Sequence, residues 1–293
     1  MGSERRKGIL FTSLSAVIFG FTPILGRMTY SFGSNGITLT FLRATLCLPV
    51  LILLLKGKGI SLRLNKDEVG KVVLLGLVGC ALTTVLLYLS YSYQPVGLST
   101  ALHFIYPAVI AIGCVVLWKQ RLGKFQLLAV ALSFLGVLLF IDVGGSGSAM
   151  GFALALFSGF TYAFYVMFMD RSGLKAMHYF KLAFYLCCCM SIGTGVFGLF
   201  TGQLQLALPP NAWWLSLFVS LLTSVGALPL FQLGVRYTGA ATAAVLSTLE
   251  PITSILVGFL VLQESLSLFQ WIGCVFILSG VVLISVMGNR EES

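Results

Sequence analysis

Three ionisable side chains, Arg43, His103 and Glu250, lie inside long apolar stretches of this sequence. A charged group at bilayer depth costs about 3 kcal/mol on insertion scales and usually marks a functional position. Glu250 is followed by Pro251, which removes a helix N–H and clashes with the preceding turn. A carboxyl in this setting can contact a substrate or carry a proton. We therefore predict that Glu250 and Pro251 line a binding site and that Glu250 is the coupling residue.

Arg43 carries a planar guanidinium, which can hold a carboxylate through two parallel hydrogen bonds. This chemistry suits an amino acid or an organic anion, so Arg43 is predicted to contact the substrate. The alternative for Arg43 and Glu250 is a fixed structural pair with each other. Either side chain could instead bond backbone carbonyls, such as those near Pro251.

His103 and Tyr106 are three residues apart and therefore share one helix face, beside Pro107. We predict that this face lines the same cavity as Glu250. The alternative for His103 is a neutral ring that bonds a neighbouring helix.

Aromatic residues are dense between positions 157 and 168, and Tyr162 lies among them. Stacked rings can receive a planar or cationic ligand, although such rings also face lipid or fill helix contacts. Tyr162 is predicted to contact the substrate, as is Thr84, a polar residue in an apolar stretch. Thr83 and Gln232 are secondary candidates.

The sequence contains no phosphate-binding loop, zinc-protease motif, nucleophile elbow or calcium loop. Its seven cysteines all lie in apolar runs and form no CxxC pair. Buried cysteines of this kind behave as small apolar residues. We expect no catalytic residue, no metal and no cofactor, and we predict that the protein is not an enzyme.

The composition is that of a polytopic membrane protein, with 58% apolar and 9% charged residues and a mean hydropathy of +1.01. Soluble domains carry about 25% charged residues. A spanning helix needs about 20 apolar residues. The segments that meet this length are 9–31, 35–55, 72–93, 96–118, 124–142, 149–170, 180–202, 212–235, 239–262 and 268–288. The sequence therefore predicts ten transmembrane helices.

The positions of the basic residues predict the orientation, because cytoplasmic loops are enriched in Lys and Arg. With a cytoplasmic N-terminus, 16 of the 18 Lys and Arg residues lie on the inner side. The outer loops 94–97, 144–148 and 202–211 carry no charge. Both termini are therefore predicted to be cytoplasmic, in the plasma or inner membrane. The net charge of +9 reflects this topology, so we expect no nucleic-acid partner.

The chain also repeats itself when it is shifted by 144 residues. The shift superposes Pro107 on Pro251, Leu122 on Leu266, Phe125 on Phe269, Gln126 on Gln270, Gly136 on Gly280, Val137 on Val281 and Leu139 on Leu283. Five predicted spans fall in each repeat, and five is an odd number. The second repeat must then enter the membrane upside down, as in many secondary transporters.

The run LSTLEPITSILVGFLVLQESLSLFQWIGCVFILSGVVLIS resembles the end of an EamA domain of the drug/metabolite transporter superfamily. The matching positions are Glu250, Pro251, Glu264, Gln270, Gly273, Gly280 and Val281. The run LHFIYPAVIAIGCVVLWKQRLGKFQLLAVALSFLGVLLFI resembles the same domain. It departs from the family pattern in having Tyr106 at the position of Glu250 and Gln120 at the position of an acid.

This resemblance implies two tandem EamA repeats, at 8–142 and 149–288, in an all-α integral membrane fold of two inverted five-helix repeats. It implies a secondary transporter for an amino acid or related metabolite that works by alternating access, with export favoured. The alternatives are uptake or exchange of a sugar, nucleotide precursor or organic cation and, outside this class, a membrane enzyme or a channel. The expected partners are a small-molecule substrate, the lipid bilayer and protons as coupling ion, for a monomer or a homodimer.

Overall fold

The computed structural model describes residues 2–94, 96–119, 122–139, 148–262 and 267–287. These parts of the chain are helical and contain no strand. The α-helices are α1 (Gly2–Gly20), α2 (Thr22–Tyr30), α3 (Gly36–Leu46), α4 (Leu48–Gly57), α5 (Lys66–Leu74), α6 (Thr83–Ser90), α7 (Val96–His103), α8 (Tyr106–Trp118), α9 (Lys124–Leu138), α10 (Ala149–Arg171), α11 (Tyr179–Phe200), α12 (Pro210–Ser220), α13 (Leu228–Leu246), α14 (Leu249–Leu262) and α15 (Leu268–Met287). Two π-helical segments, π1 (Leu75–Leu82) and π2 (Leu221–Ala227), join α5 to α6 and α12 to α13, and a short 3₁₀ turn covers Leu174–Ala176.

Six helical stretches of the described residues are long and apolar enough to cross a membrane. They are Ser3–Tyr30, Gly36–Gly57, Lys66–Ser90, Ala149–Arg171, Tyr179–Phe200 and Pro210–Leu246. Large apolar side chains such as Phe200 and Trp214 are exposed on the outside, whereas many Ser and Thr residues are buried. The predicted all-α membrane class is therefore confirmed. Glu264, predicted at the end of the ninth span, lies outside the described residues.

The segments predicted as spans four and nine are each interrupted by a two-residue break. Residues 104–105 separate α7 from α8, and residues 247–248 separate α13 from α14. Pro107 and Pro251 each lie in the first turn of the helix that follows. A first-turn proline loses no intrahelical hydrogen bond. The helix disruption expected at Pro251 is therefore present, and both prolines lie at the start of a new helix.

The junction between the segments predicted as spans eight and nine is a sharp turn inside α13. Gly239 has φ 78° and ψ 168°, a backbone conformation that favours glycine. The carboxylate of Asp170, at the end of α10, accepts a hydrogen bond from the N–H of Ala240 at 3.4 Å and binds Lys175 Nζ at 2.7 Å. Asp170, for which no role was predicted, thus connects α10 to this turn.

The helices pack around a core formed by α10, α13 and their neighbours. Helix α1 packs on α13 and α14, and α10 packs on α6, α7 and α8. Helix α11 packs on α3 and π1, and α9 packs on α15. Tyr106, Tyr165 and Phe231 are the largest fully buried side chains among the described residues. The largely aliphatic core therefore contains a small number of large aromatic side chains.

Helices α9 and α15 meet through two glycines in a reciprocal contact. A Cβ at Gly136 would lie 2.7 Å from the carbonyl oxygen of Gly273, and a Cβ at Gly280 would lie 2.8 Å from that of Ala129. The same shift of 144 residues relates Gly136 to Gly280 and Ala129 to Gly273. Close approach of this kind is typical of membrane helices that pack through small residues.

We expect Gly280→Ala to lower the thermal midpoint of the detergent-purified protein, because overpacking a close contact costs about 1–3 kcal/mol. Gly70→Ala is the matched control, since a Cβ there meets nothing within 4 Å. That control should be neutral or slightly stabilising, as alanine is the better helix former. Equal midpoints for the two variants would contradict the close contact of α9 with α15.

Candidate functional site

The two helix breaks face each other and are joined by a buried hydrogen bond. The hydroxyls of Tyr106 and Ser247 lie 2.6 Å apart. Ser247 donates its single proton to the carbonyl oxygen of Ala244 at 2.8 Å. Tyr106 must therefore be the donor to Ser247. This bond connects the start of α8 with the break before α14.

His103, the last residue of α7, is held by α10. Its Nδ1 lies 2.9 Å from Ser158 Oγ, and Ser158 donates its proton to the carbonyl oxygen of Ala155 at 2.6 Å. His103 is therefore the donor through Nδ1–H, and in the neutral ring Nε2 is left as an acceptor. The bond to a neighbouring helix, foreseen as the alternative for His103, is thus present.

Six rings form an aromatic cluster beside this bond: His103, Phe104, Tyr106, Tyr162, Tyr165 and Phe231. Tyr106 and Tyr162 meet edge to face at 4.7 Å between centroids. Tyr162 lies 5.5 Å from Tyr165, which is stacked on Phe231 at 6.3 Å. Such pairs contribute about 0.5–1.5 kcal/mol each beyond the area that they bury. The cluster therefore fixes α8, α10 and α13 relative to one another.

Glu250 is the second residue of α14, so its carboxyl lies at the amino end of a helix. The positive end of the helix dipole favours an anion there. The side chain is partly accessible, and no described residue makes a hydrogen bond or ion pair with its carboxyl. Its electrostatic neighbours include Arg43, Tyr106 and Tyr162. The carboxyl thus faces the aromatic cluster without a fixed partner.

Arg43, on α3, lies within electrostatic range of Glu250 and is also incompletely paired. One of its terminal nitrogens lies 3.8 Å from Met190 Sδ, a weak acceptor. Its Nε is buried and has no hydrogen-bond partner. No described carboxylate lies within 4.0 Å of the guanidinium. Arg43 is nevertheless close enough to Glu250 for the two charges to interact. The fixed Arg43–Glu250 pair that we considered is therefore absent.

The remaining aromatic and threonine candidates differ in whether they face the interior of the bundle. Phe157 and Phe160, in the same aromatic run as Tyr162, are 62% and 49% exposed and face outward. Thr84 donates to the carbonyl oxygen of Cys80 in its own helix at 2.9 Å, whereas Thr83 donates to Thr161 on α10 at 2.6 Å. Of these two threonines, only Thr83 reaches another helix through its hydroxyl.

Around the two breaks the structure brings together Glu250, Pro251, Tyr106, Pro107, His103 and Tyr162, with Arg43 within electrostatic range. Sequence reasoning gave no role to Ser158, Ser247 or Phe231. Buried hydroxyls are common in apolar helices, so Ser158 and Ser247 carried no distinguishing signal. Phe231 was one of many aromatic residues, and only its neighbours in space identify it.

We expect Tyr106→Phe to lower the free energy of unfolding by about 1 kcal/mol, because it removes the buried bond to Ser247, and Ser247→Ala to lower it by up to about 2 kcal/mol, because it also removes the bond to Ala244. The double variant should lose less free energy of unfolding than the sum of the two single variants, because both single variants remove the same hydrogen bond between Tyr106 and Ser247. Unfolding in detergent measures this cycle. Tyr106→Phe combined with Ser279→Ala, whose hydroxyl is exposed and bonds within its own helix, is the additive control. Additivity of the first pair would contradict the bond.

The sequence of this chain is similar to those of proteins named as transporters, and its fold is similar to that of a solved structure. The chain matches the model of the EamA-like transporter family over residues 6–141 and 149–286. It is 27% identical to a protein of Salmonella typhimurium named "Uncharacterized inner membrane transporter YicL", covering 99% of both chains. It is 25% identical to an uncharacterized transporter of Synechocystis, covering 95% of this chain and 93% of the relative. A solved crystal structure shares the fold at a TM-score of 0.80, with 17% identity over 96% of this chain and 98% of the other.

Proposed function

The chain belongs to the EamA-like transporter family and is a multi-pass membrane transporter, and on this premise we propose that it is a secondary carrier for a small amino acid or a related zwitterion. The observation that carries this proposal is that the opposite charges of Arg43 and Glu250 lie within electrostatic range of each other without forming an ion pair. A charge that is partly withdrawn from water and has no partner is unfavourable. A zwitterion supplies one partner to each of the two residues.

In the proposed complex the substrate carboxylate binds the Arg43 guanidinium, which offers two parallel donors. The ammonium group binds Glu250 and lies over the ring faces of Tyr106 and Tyr162, where a cation–π interaction adds to the attraction. Pro107 and Pro251 start the helices that present these groups. Thr84 is a peripheral member of the proposed site.

The proposed architecture is ten transmembrane helices in two inverted five-helix repeats, 8–142 and 149–288, with both termini cytoplasmic in the cell membrane. Support comes from features that recur at nearly the same shift along the chain. The breaks at 104–105 and 247–248, the π-helical segments π1 and π2, and the reciprocal glycines are three such pairs. Discontinuous helices at a repeat interface are typical of substrate sites in secondary transporters.

The proposed cycle is alternating access, in which the two repeats rock about the site between α8 and α14. Protons are the proposed coupling ion, with Glu250 as their carrier and export as the favoured direction. No nucleotide site is proposed, so uphill transport would draw on the gradient of the coupling ion. The functional unit is a monomer or a homodimer, without a nucleic-acid partner.

We expect Glu250→Gln to abolish substrate accumulation driven by an imposed proton gradient in proteoliposomes, because an amide cannot take up and release the proton. Substrate counterflow, which needs no net proton movement, should be retained at saturating substrate but with a raised KM, because the amide oxygen still accepts a hydrogen bond from the substrate ammonium and no longer carries a charge that attracts it. The matched control is Glu4→Gln, at an exposed position in the first turn of α1. Gradient-driven, pH-dependent accumulation by the Glu250→Gln protein would refute Glu250 as the coupling residue.

A second candidate function, transport of an organic cation, is favoured by the carboxyl of Glu250 beside the aromatic cluster. Arg43 distinguishes the two candidates, because only a substrate with a carboxylate needs it. In a thermal-shift screen, a ligand at about 100 times its Kd should stabilise the protein by about 2.7 kcal/mol. L-amino acids and their decarboxylated amines are the matched probes.

We expect Arg43→Gln to weaken amino-acid binding by about 10- to 100-fold, since a hydrogen bond to a charged group contributes about 1.5–3 kcal/mol. Binding of the amines should change little. Arg236→Gln, at an exposed cytoplasmic position in the proposed topology, is the control. If the amines bind tightly with the same affinity in the wild type and in Arg43→Gln, and the amino acids do not bind, the result would favour the cation carrier. Flux without saturation or counterflow would instead indicate a channel.

A further inference from the structure

Two polar side chains at the far end of the aromatic cluster are buried without hydrogen-bond partners. Gln232, on α13, is 4% exposed, and neither its amide nitrogen nor its amide oxygen has a partner among the described residues. Tyr165, on α10, is 1% exposed, and its hydroxyl also has none. The two side chains are neighbours, yet they complete no hydrogen bond within 3.5 Å. Buried polar groups are normally paired, so each such group requires an explanation.

The position of this pair relates it to the substrate site. Tyr165 continues the row of rings that begins at Tyr106, through Tyr162, and it is stacked on Phe231, the residue before Gln232. The unpaired atoms therefore lie at the end of this row of rings that is opposite to Tyr106.

We propose that Gln232 and Tyr165 form a subsite that recognises the side chain of the transported substrate through hydrogen bonds. This inference rests on the proposed function, since it takes the charged ends of the substrate to be held by Arg43 and Glu250. The amide of Gln232 both donates and accepts, and so does the hydroxyl of Tyr165. Neither carries a charge. The matching substrate group is neutral and both donates and accepts, as a carboxamide or a hydroxyl does.

The pair thus acts as a specificity determinant, distinct from the residues that hold the charged ends. A substrate with an apolar side chain would leave the amide of Gln232 buried and unpaired. Sites built to hydrogen-bond a substrate group reject analogues that lack it more strongly than apolar pockets reject an extra group. The aromatic rings between the two ends would contact the apolar part of the side chain.

The test is the ratio of counterflow efficiencies for L-glutamine and L-norleucine, measured with the full chain in the same proteoliposomes. The wild-type protein should prefer L-glutamine by about tenfold or more, the discrimination expected for one buried hydrogen-bonding group. Gln232→Leu should bring the ratio close to equality. Tyr165→Phe, which removes one oxygen atom, should reduce it by several-fold. L-threonine and L-valine form the corresponding pair for a hydroxyl group.

Gln94→Leu is the matched control, because Gln94 is also a buried glutamine but bonds Ser99 outside the aromatic cluster. It should keep the wild-type ratio. A ratio taken within one preparation is independent of the folded fraction, so a structural role alone does not move it. If Gln232→Leu transports neither substrate, Tyr165→Phe decides the outcome. The subsite would be overturned if the wild type transported polar and apolar substrates equally well. It would also be overturned if the ratio were unchanged in Gln232→Leu or, where that variant is inactive, in Tyr165→Phe. Either result would leave the carrier function intact. Absence of amino-acid counterflow in the wild type would overturn both.

Discussion

The structure depends on one constraint: inside a bilayer, every backbone polar group must find its partner within the protein. The chain nevertheless interrupts two apolar helices, at 104–105 and 247–248. It can do so because Phe104, Ser247 and Thr248 at the two breaks are buried inside the bundle, away from lipid. The bond from Tyr106 to Ser247 joins the two breaks, and the aromatic cluster packs beside it. The interruptions therefore place polar groups at the centre of the bundle.

Several packing features recur along the chain, whereas the ionisable side chains do not. The reciprocal contacts of Gly136 and Gly280 and the two breaks recur along the chain. At the equivalent break positions, however, one half carries Tyr106 and the other Glu250. In the proposed alternating-access cycle, such recurring packing would permit two arrangements of similar energy. Because only one half holds a carboxyl at its break, ion coupling would be confined to a single site.

The unpaired charges of Arg43 and Glu250 also bear on stability. Neither residue gains a full set of partners from the described part of the chain. Proteins retain such unfavourable groups mainly where function requires them, and strained or unsatisfied positions cluster at binding sites. The helix dipole at the start of α14 and the sulfur of Met190 offset part of the cost.

Hydropathy and charge by themselves determined that this is an all-helical membrane protein, because the bilayer imposes length and composition on each span. The internal repeat and the Glu-Pro pair further indicated the family and singled out Glu250. The sequence could not show that Pro107 and Pro251 start new helices, since the same residues also fit a kink in a continuous helix. Only the tertiary structure decided that Arg43 and Glu250 do not pair, that Tyr106 bonds Ser247, and that Tyr165 packs in the aromatic cluster. Those contacts depend on how helices distant in sequence are rotated against each other, and a local apolar pattern does not encode that rotation.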